Sequence, residues 1–324
     1  MIQNIRFLLQ TVASMVVTLC PAVVMAQDNF PERPVTIVVP GQAGGGSDVI
    51  FRKLAVAAQA ITNTSFIVLN RPGASATMGT TVVTQAKPDG YTLGGTWNGP
   101  LTMAPLMVPV PYTTASYDPV IQISSTPLVV CVHQNFPASS GKEFVEELRK
   151  KPNQYTYGAD GIGGTIHFGV TRVFKGLGIS ARMIPFNSSP ATMQAFLSRT
   201  VDMYGGSVVA IKSSMDGGVA KCLLVSSTED NPAVPMSTGL LALGAPDSAM
   251  HNWYGVIAPK GTPLHIIAKL DSIFRQAAAT PSFIEYLQSV GMQATLYNSI
   301  AMRQNIEDEY AANALISKNL QMQD

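Results

Sequence analysis

The residues best placed to do chemistry in this chain are glycines. Gly44, Gly45 and Gly46 follow a β-branched apolar run, Val35 to Val39, that Pro40 and Gly41 close; Ser47 and Asp48 come directly after them. The apolar run reads as a strand buried on both faces. The glycines read as a turn that can take positive φ. Ser47 stands where a helix N-cap is expected, with Asp48 in the first turn and Val49, Ile50, Leu54, Ala55 and Ala58 at helical spacing. A strand, a glycine turn and a helix start present unpaired N–H groups and the positive end of a helix dipole above the strand, which is a cradle for an anion. The Lys-Ser/Thr of a mononucleotide loop is missing, and G-x-G-x-x-G does not fit. Asp48 would repel a close phosphate, so a singly charged carboxylate suits the loop better. The same pattern also fits an ordinary strand-to-helix turn whose glycines only permit close packing.

A second device of this kind lies further along. Tyr155 to Gly158 reads as a short strand, and Ala159-Asp-Gly-Ile-Gly-Gly-Thr-Ile-His167 as another glycine turn at a helix start, with Gly161, Gly163, Gly164 and Thr165 in it. Two such turns fit two similar α/β lobes facing each other, with a ligand that carries an anionic group at each end bridging them. Between the turns, strands at Phe66 to Leu69 and Tyr91 to Thr96 alternate with a helix near Met78 to Ala86, which indicates a parallel sheet wound with helices. Ligands bind such sheets at the carboxyl ends of their strands. Trp97 and Asn98 follow the third strand directly, so they are expected to face the same crevice as Gly44 to Asp48, although core packing of Trp97 fits equally well. Later strand ends carry the polar loop Phe186 to Pro190, with Asn187 in it, and the turn ending in Ser207.

The whole chain sets the frame. Its 324 residues suffice for two domains of ordinary size, 13% are charged, and the net charge is +1. A balance so near neutral provides no electrostatic footprint for nucleic acid. Arg6, the apolar stretch from Phe7 to Val24 and the small-residue site Val24-Met-Ala26 read as an export signal over residues 1–26, cleaved before Gln27. Gln10 and Pro21 interrupt the stretch, which argues against a membrane anchor. Export leaves Cys131 and Cys222 in an oxidising compartment. Both lie in apolar runs and are expected to be buried thiols; a disulfide between them cannot be deduced from sequence. The four histidines are scattered, so no metal site and no cofactor are expected.

Taken together, these landmarks resemble the periplasmic solute-binding receptors of the tripartite tricarboxylate transporters, the Bug family. The matching stretches are Phe30 to Pro40, Gly44 to Asp48, Asn70-Arg-Pro-Gly73, Lys87 to Leu93, Tyr157 to His167, Val201-Asp-Met203 and Trp253 to Pro263. The resemblance implies a two-lobed α/β binding protein of type II-like architecture, each lobe a mostly parallel sheet flanked by helices, closing on its ligand like a flytrap. Lobe 1 would comprise residues 27–126 and 226–324, and lobe 2 residues 127–225. It also implies a ligand carboxylate at Gly44, Gly45, Gly46, Ser47 and Asp48, partly through ordered water, and a polar end at Gly161, Gly163, Gly164 and Thr165. The implied partners are a small carboxylate and the membrane subunits of a transporter, with the receptor itself a monomer.

Several positions depart from the family pattern. Gly41 stands where Phe is usual, and Phe186-Asn-Ser-Ser189 stands where Tyr-Lys-Gly-Ser is usual, so a cation is lost. A less polar or bulkier carboxylate, such as an aromatic one, would cost less to desolvate in such a pocket than citrate. Trp97 and Phe186 would be its stacking partners. A sensor docking on a membrane signalling protein uses the same features, and adjoining genes would separate it from a transport receptor. A hydrolase in the same cleft is disfavoured, because no G-x-S-x-G elbow is present and Ser47 has no evident base.

Overall fold

Val35–Val39 forms β1 with four of its five side chains buried, as an uninterrupted β-branched run requires. The computed structural model describes residues 29–320, so the export signal read over residues 1–26 lies outside the described residues. After β1 come α1 (Gly46–Thr62), β2 (Phe66–Asn70), α2 (Thr77–Thr84) and β3 (Thr92–Trp97). A π-helical turn over Gly99–Met103, the short α3 (Ala104–Met107) and β4 (Tyr117–Pro127) follow. The middle of the chain supplies β5 (Val129–His133), α4 (Gly141–Lys150), β6 (Thr156–Ala159), α5 (Thr165–Leu177), β7 (Arg182–Pro185), α6 (Ser189–Leu197), β8 (Met203–Gly206), α7 (Val208–Asp216) and β9 (Ala220–Val225). The remainder gives β10 (His251–Pro259), α8 (Leu264–Ala278), α9 (Pro281–Ser289), β11 (Gln293–Asn298) and α10 (Ser299–Leu320).

These strands make two sheets. One has the order β11-β4-β10-β3-β1-β2 and the other β7-β6-β8-β5-β9. Each is mixed rather than mostly parallel. In the first, β2, β1 and β3 run parallel, whereas β10, β4 and β11 add antiparallel. In the second, β7, β6 and β8 are parallel, and β5 and β9 antiparallel. The reason lies in the crossings. One residue separates β4 from β5, so the chain runs from one sheet straight into the other instead of returning through a crossover helix. The three parallel strands of each sheet carry the wound helices, and their carboxyl ends carry the loops of interest.

Three elements escape the hydrophobic pattern. β4 contains Asp118, Pro119, Gln122, Ser124 and Ser125, yet is buried along most of its length. Two of its polar side chains are matched internally: Asn305 Nδ2 donates to Gln122 Oε1 at 3.0 Å, and Ser125 and Thr295 hydroxyls lie 2.8 Å apart. Pro119 is accommodated where the β10 pairing shifts register. β11 is an edge strand with exposed side chains, and α7 follows a Ser207 N-cap without a strong apolar stripe.

The helices follow their sequences more openly. Ile50, Phe51, Leu54, Ala55 and Ala58 form the buried face of α1. Ser140 caps α4 by accepting the Glu143 N–H at 3.2 Å, while Glu143 Oε2 accepts the Ser139 N–H at 2.7 Å, a reciprocal cap. Cys131 and Cys222 are not free thiols. They are direct partners on the neighbouring strands β5 and β9 and form a disulfide. Register, which sequence cannot supply, is what brings them together.

Candidate functional site

The first glycine turn differs from expectation in one detail. The helix begins two residues early: Gly45 is the N-cap (φ −74°, ψ 167°), no side chain caps it, and Ser47 already lies inside the first turn of α1. Gly44 takes φ +77°, a left-handed conformation that favours glycine. The Gly45 N–H closes on Gln42 O at 3.1 Å. Gly44 and Gly46 are exposed, and a Cβ added at either would meet nothing within 4 Å. The turn therefore presents an uncapped helix N-terminus to open space.

Asp48 does not face that space. It is buried and folds back beneath the turn, where Oδ2 accepts the Gly44 N–H at 2.8 Å and Arg52 Nε at 3.0 Å. Arg52 also donates to Asn70 Oδ1 at 2.9 Å, and Asn70 Nδ2 donates to Gly41 O at 3.1 Å, so the ends of β1 and β2 are tied together. Burial by itself would raise the Asp48 carboxyl. The Arg52, Gly44 and Asn70 hydrogen bonds and the Arg52 charge outweigh it and hold the carboxyl below the usual range. Asp48 is thus the brace of the turn, already neutralised, and not a charge that faces a ligand.

Trp97 stands at the mouth of this turn. A Cβ at Gly41 would lie 2.3 Å from Ser47 Oγ and 3.7 Å from Trp97 Cη2. One at Gly99 would lie 2.8 Å from Trp97 Nε1 and 2.5 Å from Thr165 Oγ1. The indole therefore reaches from the first turn towards the second, and Gly99 is glycine because anything larger would collide with both. Asn98 goes elsewhere. Fully buried, its Nδ2 donates to Glu309 Oε1 at 2.8 Å and to His251 O at 3.1 Å, while Trp253 Nε1 donates to Glu309 Oε2 at 2.6 Å. Burial pushes the Glu309 carboxyl up against the opposing pull of these donors and of Arg172. Asn98 is a strut between β3 and α10, and the structure does not bring its amide to the glycine turns.

The second turn repeats the backbone of the first. Gly164 is the uncapped N-cap of α5 (φ −76°, ψ 169°), Gly163 has φ +75°, and the Gly164 N–H closes on Gly161 O at 3.4 Å. His167 takes the place of Asp48: its Nδ1 accepts the Gly163 N–H at 3.2 Å. An acceptor at Nδ1 fixes the neutral tautomer with its proton on Nε2. This turn is covered where the first is open. A Cβ at Gly163 would come 2.7 Å from the Met107 side chain, and one at Gly161 would come 3.3 Å from Ser75 Oγ. Ser75 sits in the run Ala74-Ser75-Ala76, three consecutive non-glycine residues at φ 48°, 53° and 71°. Such backbone costs about 1–3 kcal/mol per residue and collects where a loop must hold an exact position.

Around the second turn stand polar groups that the sequence did not single out. Asp160 Oδ2 accepts the Ser189 hydroxyl at 2.9 Å, while its Oδ1 is enclosed without a partner. Burial pushes the Asp160 carboxyl up, opposed by Ser189 and by the N–H groups of Asp160 and Ile166. Tyr204 and Tyr254 feel the Asp160 charge, and burial above all raises both phenols. Asn252 Nδ2 donates to Tyr254 Oη at 3.2 Å, and its Oδ1 is buried and unpartnered, as is Thr165 Oγ1. Ser207 caps α7 by accepting the Ala210 N–H at 3.4 Å and also bonds Tyr204. Phe186 packs half-buried on its own sheet's cluster and against Gly158, and Asn187 is exposed beside it. Trp97 is an aromatic side chain placed against both turns.

Two mixed sheets, with glycine-turned helix N-termini at the carboxyl ends of their parallel strands, define a two-domain periplasmic-binding-protein fold. Comparison with known proteins gives the rest. Residues 50–322 match the model of the tripartite tricarboxylate transporter family receptor, and the chain belongs to that family. Protein BugT of Bordetella pertussis is 26% identical over 317 residues, covering 94% of this chain and 95% of that one. The structure of periplasmic binding protein BugD superposes with a TM-score of 0.79 at 28% identity, over 90% of this chain and 98% of that one. An R. palustris protein with adipate superposes with a TM-score of 0.80 at 25% identity, over 89% and 97%. Among the described residues no helix is long and apolar enough to cross a membrane, and no cluster of acids, histidines and cysteines could hold a metal.

Proposed function

We propose that this protein is an exported receptor that captures a small carboxylate between its two sheets and delivers it to the membrane subunits of a tripartite tricarboxylate transporter. The observation that carries this reading is the open, uncapped N-terminus of α1 at Gly44 to Ser47, facing the second glycine turn across Trp97. A carboxylate there would accept from backbone N–H groups, lie at the positive end of the helix dipole, and keep one edge against the indole. Asp48, held below the turn by Arg52, leaves that role to the ligand.

Sheet membership supports lobes divided as residues 27–126 with 226–324, and 127–225, since β5 to β9 form one sheet and the other strands the second. Ligand contacts from both lobes would favour the closed arrangement of a flytrap. The Cys131–Cys222 disulfide fits an oxidising compartment and so supports export to the periplasm. The family match and the adipate-bound relative support carboxylate capture.

The test is a thermal-shift screen of the protein against mono-, di- and tricarboxylates, aliphatic and aromatic. A ligand that binds only the folded state stabilises it by about 2.7 kcal/mol at a hundred times its Kd. The expected result is a saturable rise with one class of carboxylate; a flat response to all of them would overturn the reading.

A further inference from the structure

The two turns share a backbone but differ in what stands at one equivalent place. Aligning Gly44 with Gly163 and Gly45 with Gly164 pairs Gly41 with Asp160. In the first turn a side chain at position 41 would run into Ser47 Oγ, so a neutral hydroxyl fills the space beside the helix start. In the second turn that space holds the Asp160 carboxyl, whose Oδ1 would lie 3.2 Å from a Cβ at Gly164, the N-cap of α5. The anion cradle of α5 is therefore occupied by the protein's own carboxylate. No cation pairs with Asp160 among the described residues: its partners are Ser189, the backbone, and two tyrosines that sense its charge.

The unpartnered atoms nearby are of one chemical kind. As a carboxylate Asp160 only accepts hydrogen bonds, and the Thr165 hydroxyl accepts as readily as it donates. A Cβ at Gly164 would lie 3.2 Å from Asp160 Oδ1 and one at Gly99 2.5 Å from Thr165 Oγ1, so both unpartnered atoms stand at the start of α5. Buried acceptors left without donors each cost about 1–3 kcal/mol, and a second anion brought beside Asp160 would add repulsion to that cost. A donor with positive charge would remove both penalties.

We infer that the captured solute carries a nitrogen that donates hydrogen bonds, an ammonium or a protonated ring or amide N–H, at the end away from its carboxylate, and that Asp160, beside Thr165, selects it. This rests on the receptor reading above and sharpens it: the first turn takes the anion and the second takes the N–H end. A dicarboxylate would place its far anion against Asp160 and bind less well.

The experiment uses three matched probes of equal chain length: an ω-amino acid, the corresponding fatty acid and the corresponding dicarboxylate, in aliphatic and benzene-spaced series. Each is titrated calorimetrically into the wild type and into Asp160→Asn. The expected result is that the wild type prefers the amino acid over the dicarboxylate by at least about tenfold in Kd, which is about 1.4 kcal/mol. Asp160→Asn should erase that preference and bind the dicarboxylate more tightly than the wild type does. A wild type that prefers the dicarboxylate, or a preference unchanged in Asp160→Asn, would overturn this inference while leaving the receptor reading intact. Silence from all three probe classes would overturn both. Asn is nearly isosteric with Asp, and an unchanged thermal transition without ligand would confirm that the variant folds.

Discussion

The two glycine turns are the most instructive pair of regions in the molecule. They have nearly the same φ/ψ at the N-cap, the same left-handed glycine before it, and the same back-bond to the side chain at the third helical position, yet they differ in chemistry. In the first the back-bond comes from a carboxylate, Asp48, neutralised by Arg52 and buried below an open N-terminus. In the second it comes from neutral His167, and a carboxylate stands above the turn instead, at Asp160. A shared backbone fixes where the donors point. The side chains then decide whether the turn receives an anion or supplies one.

The largest expected effect comes from filling the open turn. Gly46 has helical geometry and free space where its Cβ would be, so Gly46→Leu should fold normally and weaken carboxylate binding by about a hundredfold or more, about 2.7 kcal/mol. Calorimetric titration, with a thermal transition as the folding control, measures both. Gly44→Leu would be a poorer choice, because its positive φ would add strain to the lost site.

Next in size is the covalent tie that only the second sheet is seen to carry among the described residues. Cys131→Ala with Cys222→Ala, or reduction, should cost about 2–4 kcal/mol in denaturant unfolding, given that the bond closes a loop with a sequence separation of 91. Asp48→Ala should follow. It leaves the Gly44 N–H and the Arg52 guanidinium without their acceptor and should cost about 2 kcal/mol, read from the same unfolding curves.

The smallest effect is one of sign. Asp48 is held below its ordinary range, so its contribution to stability is present above that range and is lost as pH falls through its folded value. Asp160 is raised, so its contribution is present below the ordinary carboxylate range and is lost as pH rises through its folded value. The ligand-free protein should therefore lose stability at the acid end through the first turn and on the way up from acid through the second. In thermal unfolding against pH, Asp48→Asn should flatten the acid limb alone. Asp160→Asn should flatten the other and raise the midpoint at neutral pH.

Much of this was legible in the residues. Val35 to Val39 and the glycines after it announced a strand and a turn because β-branched burial and positive φ leave few alternatives. The second turn could be found by its likeness to the first. β4 was hidden because Asp118, Pro119, Gln122, Ser124 and Ser125 interrupt its buried apolar residues Val120, Ile121 and Ile123, and the partners of Gln122 and Ser125, Asn305 and Thr295, lie in distant segments. The mixed sheet order was hidden for a related reason: strand direction depends on where the chain crosses between sheets. Asn98 looked like a site residue by position, but its partner Glu309 lies far along the chain. Asp160 was in view within the glycine run. Its meaning needed the alignment with Gly41.

The measurement that bears most directly on the central claim is the amide spectrum of the protein labelled with ¹⁵N-glycine, recorded while a carboxylate found by the thermal screen is titrated to saturation. An anion held by the open N-terminus of α1 predicts downfield shifts of the Gly45 and Gly46 amide protons that saturate with the calorimetric Kd, with Gly46→Leu removing both the shifts and the heat. Saturable binding with the Gly44 to Gly46 signals unmoved would contradict the account, because the ligand would then be held by some other part of the molecule.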